Sequence, residues 1–305
     1  MRLLNASGCL DALAAPEVAR TLDAYVTKTV TPLPREGNAP VRIAETEVGM
    51  LNAIGLANPG VDAFVRDYLP RLAELGVPLW VSVGGFAVDD YVHVAEHVGA
   101  RDELETLELN LSCPNVDEVP ENVGEVVAAV RAVTRKPLYA KLSAAVPDLG
   151  ATARAAEAAG ADGLSLVNTV KGLALDERTL RPVLARGAGG LSGPALRPIA
   201  LAAVYTCSRE TRLPIVGMGG VARGRHALEL LAAGASDVAI GTALFSDPGV
   251  TGRIRGELEA ELAALGIVSA DNAVGIAHAS ADSTLDQRSR LLFQKPLHMG
   301  ANLPG

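Results

Sequence analysis

The sequence predicts an α/β fold: a single (β/α)8 TIM barrel with inserted loops over the C-terminal face of the barrel. Short apolar runs alternate with amphipathic helical patterns along most of the 305 residues, and such alternation is typical of βαβ units with a parallel sheet. Eight units of this kind close into a barrel. The composition is 49% hydrophobic but only 3% aromatic, which gives the aliphatic core that suits parallel strands buried on both faces.

The predicted strands are short apolar runs that each end in small or polar residues. They cover residues 3–5, 24–27, 79–83, 106–110, 138–142, 163–167, 214–217 and 238–240. The helical patterns cover residues 61–75, 89–97, 124–134, 149–159, 194–208, 224–233 and 248–265. Ala-Gly-Ala at 159–161 and at 233–235 supplies helix stops before the next strand.

Two segments interrupt the alternation. Residues 30–59 contain several prolines and no helical period, and residues 168–193 are rich in glycine at their end. Both are expected to cross the C-terminal face of the barrel, since long ordered loops are usually functional. The barrel domain is expected to span residues 1–267, and residues 268–305 are expected to form a poorly packed C-terminal tail of unknown role.

Charge and cysteine content exclude several classes of function. A net charge of −8 argues against a nucleic-acid partner, and no apolar run is long enough to span a membrane. The three cysteines, Cys9, Cys113 and Cys207, are widely spaced without a CxxC pair. The sequence therefore predicts neither a disulfide framework nor a metal site, and the cytoplasm is the expected location.

The ends of the predicted strands carry the candidate chemistry, because barrels place their active sites there. Lys28 and Lys141 lie at two such ends, and Pro114 stops a third strand so that Cys113 falls in the loop after it. A buried structural thiol is the commonest role for a cysteine, but a loop position favours a functional one. The histidines lie on helices or in the tail, so no serine–histidine triad is expected.

Two glycine-rich loops follow the last two predicted strands, at 217–220 and at 241–242. Glycine lets backbone N–H groups approach an anion closely, and barrels commonly bind a phosphate at this position. The pattern predicts a bound phosphate, which could belong to a flavin mononucleotide or to a phosphosugar.

With these motifs in place, the chain resembles the dihydroorotate dehydrogenases, the FMN enzymes of pyrimidine biosynthesis. The matching stretches run in family order from residue 5 to about residue 247. They are NASGC (5–9), VTKTVT (26–31), PREGN (34–38), GMLNAIGL (49–56), NLSCPN (110–115), KLS (141–143), VNT (167–169), GGLSGP (189–194), GMGG (217–220) and GT (241–242).

The resemblance implies a role for each matching residue. Cys113 is expected to be the base that removes a proton from C5 of dihydroorotate, while C6 passes a hydride to FMN. The implied substrate-binding set is Lys28, Asn52, Ala53, Ile54, Gly55, Leu56, Asn110, Asn115, Asn168 and Thr169. The implied FMN-binding set is Ser7, Lys28, Thr29, Ser82, Asn110, Lys141, Val167, Gly193, Gly219, Gly220, Gly241 and Thr242, with Ser82 where an asparagine is expected.

The subclass also follows from the resemblance. In this resemblance a cysteine base is typical of class 1 of the family. The sequences of the glycine motifs resemble those of class 1B, whose catalytic subunit works with NAD through a partner subunit. The resemblance thus implies a homodimeric core and an electron-transfer subunit that carries FAD and a [2Fe–2S] cluster. Three alternatives remain open: a class 1A enzyme that uses fumarate, a dihydropyrimidine dehydrogenase-like enzyme, and a flavin-binding barrel without turnover.

Overall fold

The computed structural model describes residues 1–111 and 123–279. The strands of this part are β1 (Leu3–Asn5), β2 (Tyr25–Val26), β3 (Ile43–Thr46), β4 (Gly49–Asn52), β5 (Leu79–Val83), β6 (Leu104–Asn110), β7 (Leu138–Leu142), β8 (Gly163–Leu166), β9 (Val170–Gly172), β10 (Gly189–Ser192), β11 (Ile215–Met218) and β12 (Asp237–Ile240). The helices are α1 (Pro16–Ala19), α2 (Val61–Ala63), α3 (Leu69–Ala73), α4 (Val88–Gly99), α5 (Val123–Val133), α6 (Leu149–Ala158), α7 (Arg197–Glu210), α8 (Gly224–Ala232), α9 (Ala243–Ser246), α10 (Val250–Ala264) and α11 (Ala270–Ala273). Within the described residues, no helix is both long and apolar enough to cross a lipid bilayer.

The barrel is an eight-stranded parallel sheet in the order β1-β12-β11-β8-β7-β6-β5-β2. A parallel bridge between Leu4 and Ala24 joins β1 to the residue before β2 and closes the sheet on itself. Each predicted strand coincides with one of these eight to within two residues. The predicted barrel is therefore confirmed.

The strands bury one face against the helices and the other inside the barrel. On β6, Leu107 and Leu109 join the large outer cluster that packs under the helices. On the neighbouring strands, Trp80 and Tyr139 belong to a smaller cluster inside the barrel. Because side chains alternate along a strand, Glu108 of β6 points to the inside, where it is 1% exposed. The layer of inward-facing side chains next to Trp80, toward the carboxyl ends of the strands, is thus polar.

The two segments that break the alternation form a second sheet, which the sequence did not predict. The first segment supplies β3 and β4 and the second supplies β9 and β10, in the antiparallel order β3-β4-β10-β9. Leu51 of β4 pairs with Leu191 of β10 and is buried in a small core with Leu184. We call these four strands the small sheet. It joins two segments that are about 140 residues apart in the chain.

The helix predicted over 61–75 is interrupted. A π-helical turn, Phe64–Tyr68, separates α2 from α3. Pro70 lies in the first turn of α3, and proline has no N–H to donate to the preceding turn. The wider turn before it is the usual way in which an α-helix accommodates such a break.

Two residues in the first part of the predicted tail, Ala273 and His278, pack against the rest of the fold. Ala273 of α11 is fully buried, and the imidazole of His278 stacks on Tyr205 with ring centroids 4.4 Å apart. The Nε2 atom of His278 also lies 2.8 Å from the hydroxyl of Ser208. These contacts attach the first part of the tail to the barrel, although most of residues 268–279 are exposed, and residues 280–305 lie outside the described part of the chain.

A substitution at Gly224 tests the packing of α8 on α10. A Cβ atom at Gly224 would lie 2.2 Å from the backbone nitrogen of Leu258, whereas a Cβ at Gly256 within α10 would meet nothing within 4 Å. We expect Gly224→Ala to lower the free energy of unfolding by about 1–3 kcal/mol, the usual cost of overpacking. Gly256→Ala is the matched control and should raise it by up to about 1 kcal/mol through helix propensity. Urea unfolding followed by circular dichroism measures both; equal effects of the two changes would contradict the packing.

Candidate active site

A cavity of about 510 Å³ lies where the carboxyl ends of the barrel strands meet the small sheet. The small sheet contributes Met50, Asn52 and Ser192 to its wall, and the remaining wall comes mostly from the strand ends. This volume is within the range of roughly 300–1,000 Å³ that small-molecule sites occupy. The position is the one at which barrels carry out their chemistry.

Most residues that the resemblance assigns to ligands are brought together here. Those that line the cavity are Ser7, Lys28, Thr29, Asn52, Ile54, Gly55, Leu56, Asn110, Lys141, Val167, Asn168, Thr169, Gly193, Gly219, Gly220, Gly241 and Thr242. The predicted base Cys113 and the predicted substrate ligand Asn115 lie outside the described residues.

Two predicted residues do not reach the cavity wall. Ala53 is 1% exposed and packs beside Leu51 and Leu184 in the core of the small sheet. Ser82 is fully buried, and its hydroxyl lies 3.0 Å from the hydroxyl of Thr29. A serine is too short to extend past Thr29, so Ser82 contacts the lining residue instead of forming part of the lining.

A chain of hydrogen bonds continues from Thr29 across the floor of the cavity. The Nδ2 amide of Asn110 donates to Oγ1 of Thr29 at 3.1 Å, and the Nδ2 amide of Asn168 donates to Oδ1 of Asn110 at 3.0 Å. Asn168 in turn accepts a bond of 2.9 Å from the backbone N–H of Thr169. The order of these bonds fixes which way each amide points. A ring with its own amide donors and acceptors would find matching partners here.

The glycine loops leave backbone rather than side chains along one wall. Gly219 and Gly220 follow β11, which is the neighbour of β12 in the barrel, so they lie beside Gly241 and Thr242. Gly220 has φ +69°, and a Cβ atom there would lie 2.9 Å from the carbonyl oxygen of Gly193. Only glycine is accommodated at such a position. The two loops can therefore present peptide groups to an anion.

The side chains of Lys141 and Lys28 both reach the cavity. The ammonium of Lys141 lies 3.3 Å from a carboxylate oxygen of Glu108, and both side chains are buried. Gly8 makes room for the other, since a Cβ atom there would lie 3.0 Å from Cδ of Lys28. No group of three or more potential metal ligands occurs among the described residues, so the charges that this part of the site offers to an anion come from lysine.

Sequence reasoning missed Cys9 and His226. Cys9 lines the cavity beside both lysines; burial raises the pKa of its thiol, and the charges of Lys141 and Lys28 partly oppose that effect. It lies four residues after the end of β1, so the strand-end rule could have found it. His226 of α8 accepts a bond of 3.2 Å from the backbone N–H of Ala222 and thus braces the loop after Gly220, and burial lowers its pKa. Nothing in its helical position indicated that contact.

The chain is similar to known proteins over most of its length. A family model described as dihydroorotate dehydrogenase matches residues 2–262. The curated relatives include the protein named "Dihydroorotate dehydrogenase B (NAD(+)), catalytic subunit" of Desulforudis audaxviator, which is 46% identical over 264 residues, 84% of this chain and 86% of the relative. The proteins of the same name from Geobacillus kaustophilus and Halalkalibacterium halodurans are 44% and 45% identical and cover 90% and 83% of this chain, and 90% and 86% of their own lengths.

A solved structure supports the fold independently. The crystal structure of the DHODH of Eimeria tenella in complex with ferulenol superposes with a TM-score of 0.77 at 24% identity, covering 90% of this chain and 85% of that one. At this identity the likeness concerns the fold alone. The family model and the curated relatives carry the assignment: the chain belongs to the dihydroorotate dehydrogenase family, and within it to class 1B.

Proposed function

We propose that this chain is the FMN-dependent catalytic subunit that oxidises (S)-dihydroorotate to orotate in the de novo synthesis of pyrimidine nucleotides. The observation that carries the proposal is one cavity in which two glycine loops, two lysines and a bonded row of asparagine amides face each other. Family membership gives the reaction, and the cavity offers the groups that this reaction needs.

The residues present fit a flavin mononucleotide. Gly193, Gly219 and Gly220 line the cavity with their backbone, which can contact a phosphate, and Thr242 contributes a hydroxyl whose Oγ1 donates to Ser192 at 2.8 Å. Lys141 supplies a positive charge at the level of the barrel core, where it would stabilise negative charge on a reduced ring. FMN supplies the acceptor for the two electrons that leave the substrate.

The substrate side is proposed at the row of amides. Asn110 and Asn168 are held in fixed orientations by their mutual bond, and Asn52 of the small sheet faces the same cavity while donating to the carbonyl of Gly190 at 3.3 Å. Planar amides match the donors and acceptors of a pyrimidine ring. Lys28 is the proposed partner of the carboxylate that distinguishes dihydroorotate from dihydrouracil.

The proposed base is Cys113. Its thiol must be deprotonated to accept the proton from C5, and a cysteine has a reference pKa of about 8.5, so a modest lowering makes it usable near neutrality. Leu111, two residues before Cys113, is 5% exposed and continues the outer face of β6. Asn110, which lines the cavity, lies three residues before Cys113 in the chain.

The partners are a second copy of the chain and an electron-transfer subunit. The relatives are named as the catalytic subunit of an NAD(+) enzyme, which supports a separate subunit, for which we propose FAD and a [2Fe–2S] cluster. Three cysteines are too few for a cluster with four cysteine ligands in this chain.

A homodimer is supported by exposed apolar side chains on and around the small sheet, namely Val41, Ile43, Val48, Leu173, Leu175 and Leu180, because monomers rarely expose such groups together.

A cytoplasmic location is the last part of the proposal. Cys9 and Cys207 are free thiols, and Cys207 is fully buried. Unpaired cysteines are usual in a reducing compartment.

The reaction is tested with the purified chain and FMN under anaerobic conditions. The flavin absorbance should be bleached by dihydroorotate and not by dihydrouracil. Bleaching by dihydrouracil instead would select the dihydropyrimidine dehydrogenase alternative, and bound flavin that neither compound reduces would leave only a binding role.

Cys113→Ser should retain FMN but reduce it at least about a hundredfold more slowly at pH 7, because a serine hydroxyl is a much weaker acid than a thiol and general-base catalysis contributes roughly 10²–10⁴. The remaining rate should rise with pH. Stopped-flow absorbance measures it, with Cys207→Ser as the control. A Cys113→Ser rate equal to that of the unaltered chain at pH 7 rules Cys113 out as the base.

Gly220→Ala should weaken FMN binding by about tenfold or more, because the added methyl group pushes on Gly193 and Arg197 beside the proposed phosphate position. Gly76→Ala is the matched control: Gly76 has the same φ of +69° but nothing within 4 Å of its Cβ position. Both variants carry the strain of a left-handed residue, so a difference between them in flavin fluorescence titrations reports the loop. An unchanged affinity in Gly220→Ala would remove the phosphate from this loop.

The chain alone should not reduce NAD(+) at a significant rate. It has no GxGxxG motif after a strand, which is the usual dinucleotide site. Dihydroorotate, FMN and NAD(+) are mixed with the purified chain and NADH absorbance is followed, with fumarate as a parallel acceptor. Rapid NADH formation would contradict the need for a partner, and efficient fumarate turnover would assign the chain to class 1A.

A further inference from the structure

A buried carboxylate lies directly beneath the cavity and has no part in the mechanism so far. Glu108 is the middle inward-facing residue of β6 and is 1% exposed. Its Oε1 atom lies 3.3 Å from Nζ of Lys141 on the next strand, and the side chain of Lys141 is 6% exposed. Lys141 also lines the cavity. The ammonium group therefore has the ligand space on one side and the carboxylate on the other.

The residues that stand opposite this pair on the neighbouring strands are neutral. In the strand register, Ser82 stands opposite Glu108 and Ser165 stands opposite Lys141, and both serines are fully buried. Among the described residues, Lys141 is the cation that forms an ion pair with Glu108. The hydroxyl of Ser165 has no hydrogen-bond partner in the described part of the chain. The side chains opposite the pair in this register therefore add no charge to it.

The free-energy cost of burying such a pair indicates that the pair has a role other than stability. A buried ion pair is often no more stable than apolar residues of the same volume, whereas a single buried charge is strongly destabilising. Other inward positions at the same end of the barrel are apolar, such as Met218. A carboxylate here does not stabilise the core more than an apolar residue would, but it strongly changes the electrostatic potential at the cavity floor.

We propose that Glu108 is a positioning residue that holds the ammonium of Lys141 at the cavity floor and offsets its charge, so that it lowers the midpoint potential of bound FMN. The inference rests on the proposed function, since it assumes that FMN occupies this cavity. A lysine alone would favour the reduced, more negative flavin over the oxidised one. With the carboxylate 3.3 Å away, the pair acts on the cavity as a dipole instead of a full charge, and this preference is smaller.

Glu108→Gln separates charge from geometry. The amide oxygen of glutamine can still accept a hydrogen bond from the ammonium of Lys141, while the negative charge is gone. The ratio of the affinity for reduced FMN to the affinity for oxidised FMN should then be about tenfold higher than in the unaltered chain. For a two-electron couple this is a rise of about 30 mV in the midpoint potential. Glu108→Asp, which keeps the charge, should return the potential toward that of the unaltered chain.

Glu105→Gln is the matched charge control. Glu105 lies on the same strand, three residues before Glu108 and so about 10 Å away along it, with a side chain 41% exposed and paired to Arg2. Its removal changes the net charge of the chain by the same amount, but solvent screens a charge at that position. The midpoint potential should not move.

A double variant keeps the proposal testable if Glu108→Gln does not fold. Lys141→Met should lower the potential, because it leaves Glu108 unpaired, and the combination with Glu108→Gln should raise it again by removing that charge. The combined variant buries no unpaired charge and is the one expected to fold best. The proposal is overturned if Glu108→Gln lowers the potential or leaves it unchanged, or if the double variant does not exceed Lys141→Met.

The potentials are measured on the purified chain by equilibration with dyes of known potential, and the binding of oxidised FMN is measured by fluorescence. These readouts do not depend on turnover. If the unaltered chain binds no FMN, the proposed function itself fails. If it binds FMN and oxidises dihydroorotate but the Glu108 variants do not shift the potential as described, only this inference fails.

Discussion

The parallel pairing of eight strands is the constraint on which the cavity depends. Parallel strands bring all their carboxyl ends to one end of the barrel, so side chains that are far apart in sequence meet there. Lys141 at the end of β7 stands opposite Asn110 of β6 and opposite Ser165 of β8. A shift of one residue in either register would turn the lysine out of the barrel and a leucine into it. The aliphatic packing of the strands against the helices therefore also holds the chemistry in place.

The small sheet depends on this barrel and closes it. Its central strands approach so closely that a Cβ atom at Gly49 would lie 1.9 Å from the carbonyl oxygen of Ser192. Ser192 in turn accepts a bond from Thr242 at the end of the barrel strand β12. The wall that carries Asn52 is thus tied to the loop that carries Gly241 and Thr242. Any movement of the small sheet on ligand binding would therefore also displace the loop on the other side of the cavity.

Much of this arrangement could be predicted from the sequence, for physical reasons. Strands buried on both faces leave apolar runs that local periodicity detects, and strand ends are where barrel sites lie, which is why the lysines, asparagines and glycine loops were found. The small sheet was not found because β3 is half exposed and its pairing with β4 and β10 depends on contacts across the molecule. Ser82 was assigned to the cofactor by its place in the motif, but a short side chain buried behind Thr29 cannot extend past it. The packing of His278 against Tyr205 leaves no local pattern at all.

The distribution of charge explains how an acidic chain can hold anionic ligands. The net charge of −8 would repel a phosphate and a carboxylate at long range, but beyond about 8–10 Å salt screens that repulsion in solution. Inside the cavity the local groups decide, and these are Lys28, Lys141 and the backbone of the glycine loops. Two positive charges that line one cavity, however, would repel each other and would overstabilise a reduced, anionic ligand. A carboxylate placed below one lysine relieves the repulsion without entering the ligand space, which is the place that Glu108 takes on the inner face of β6.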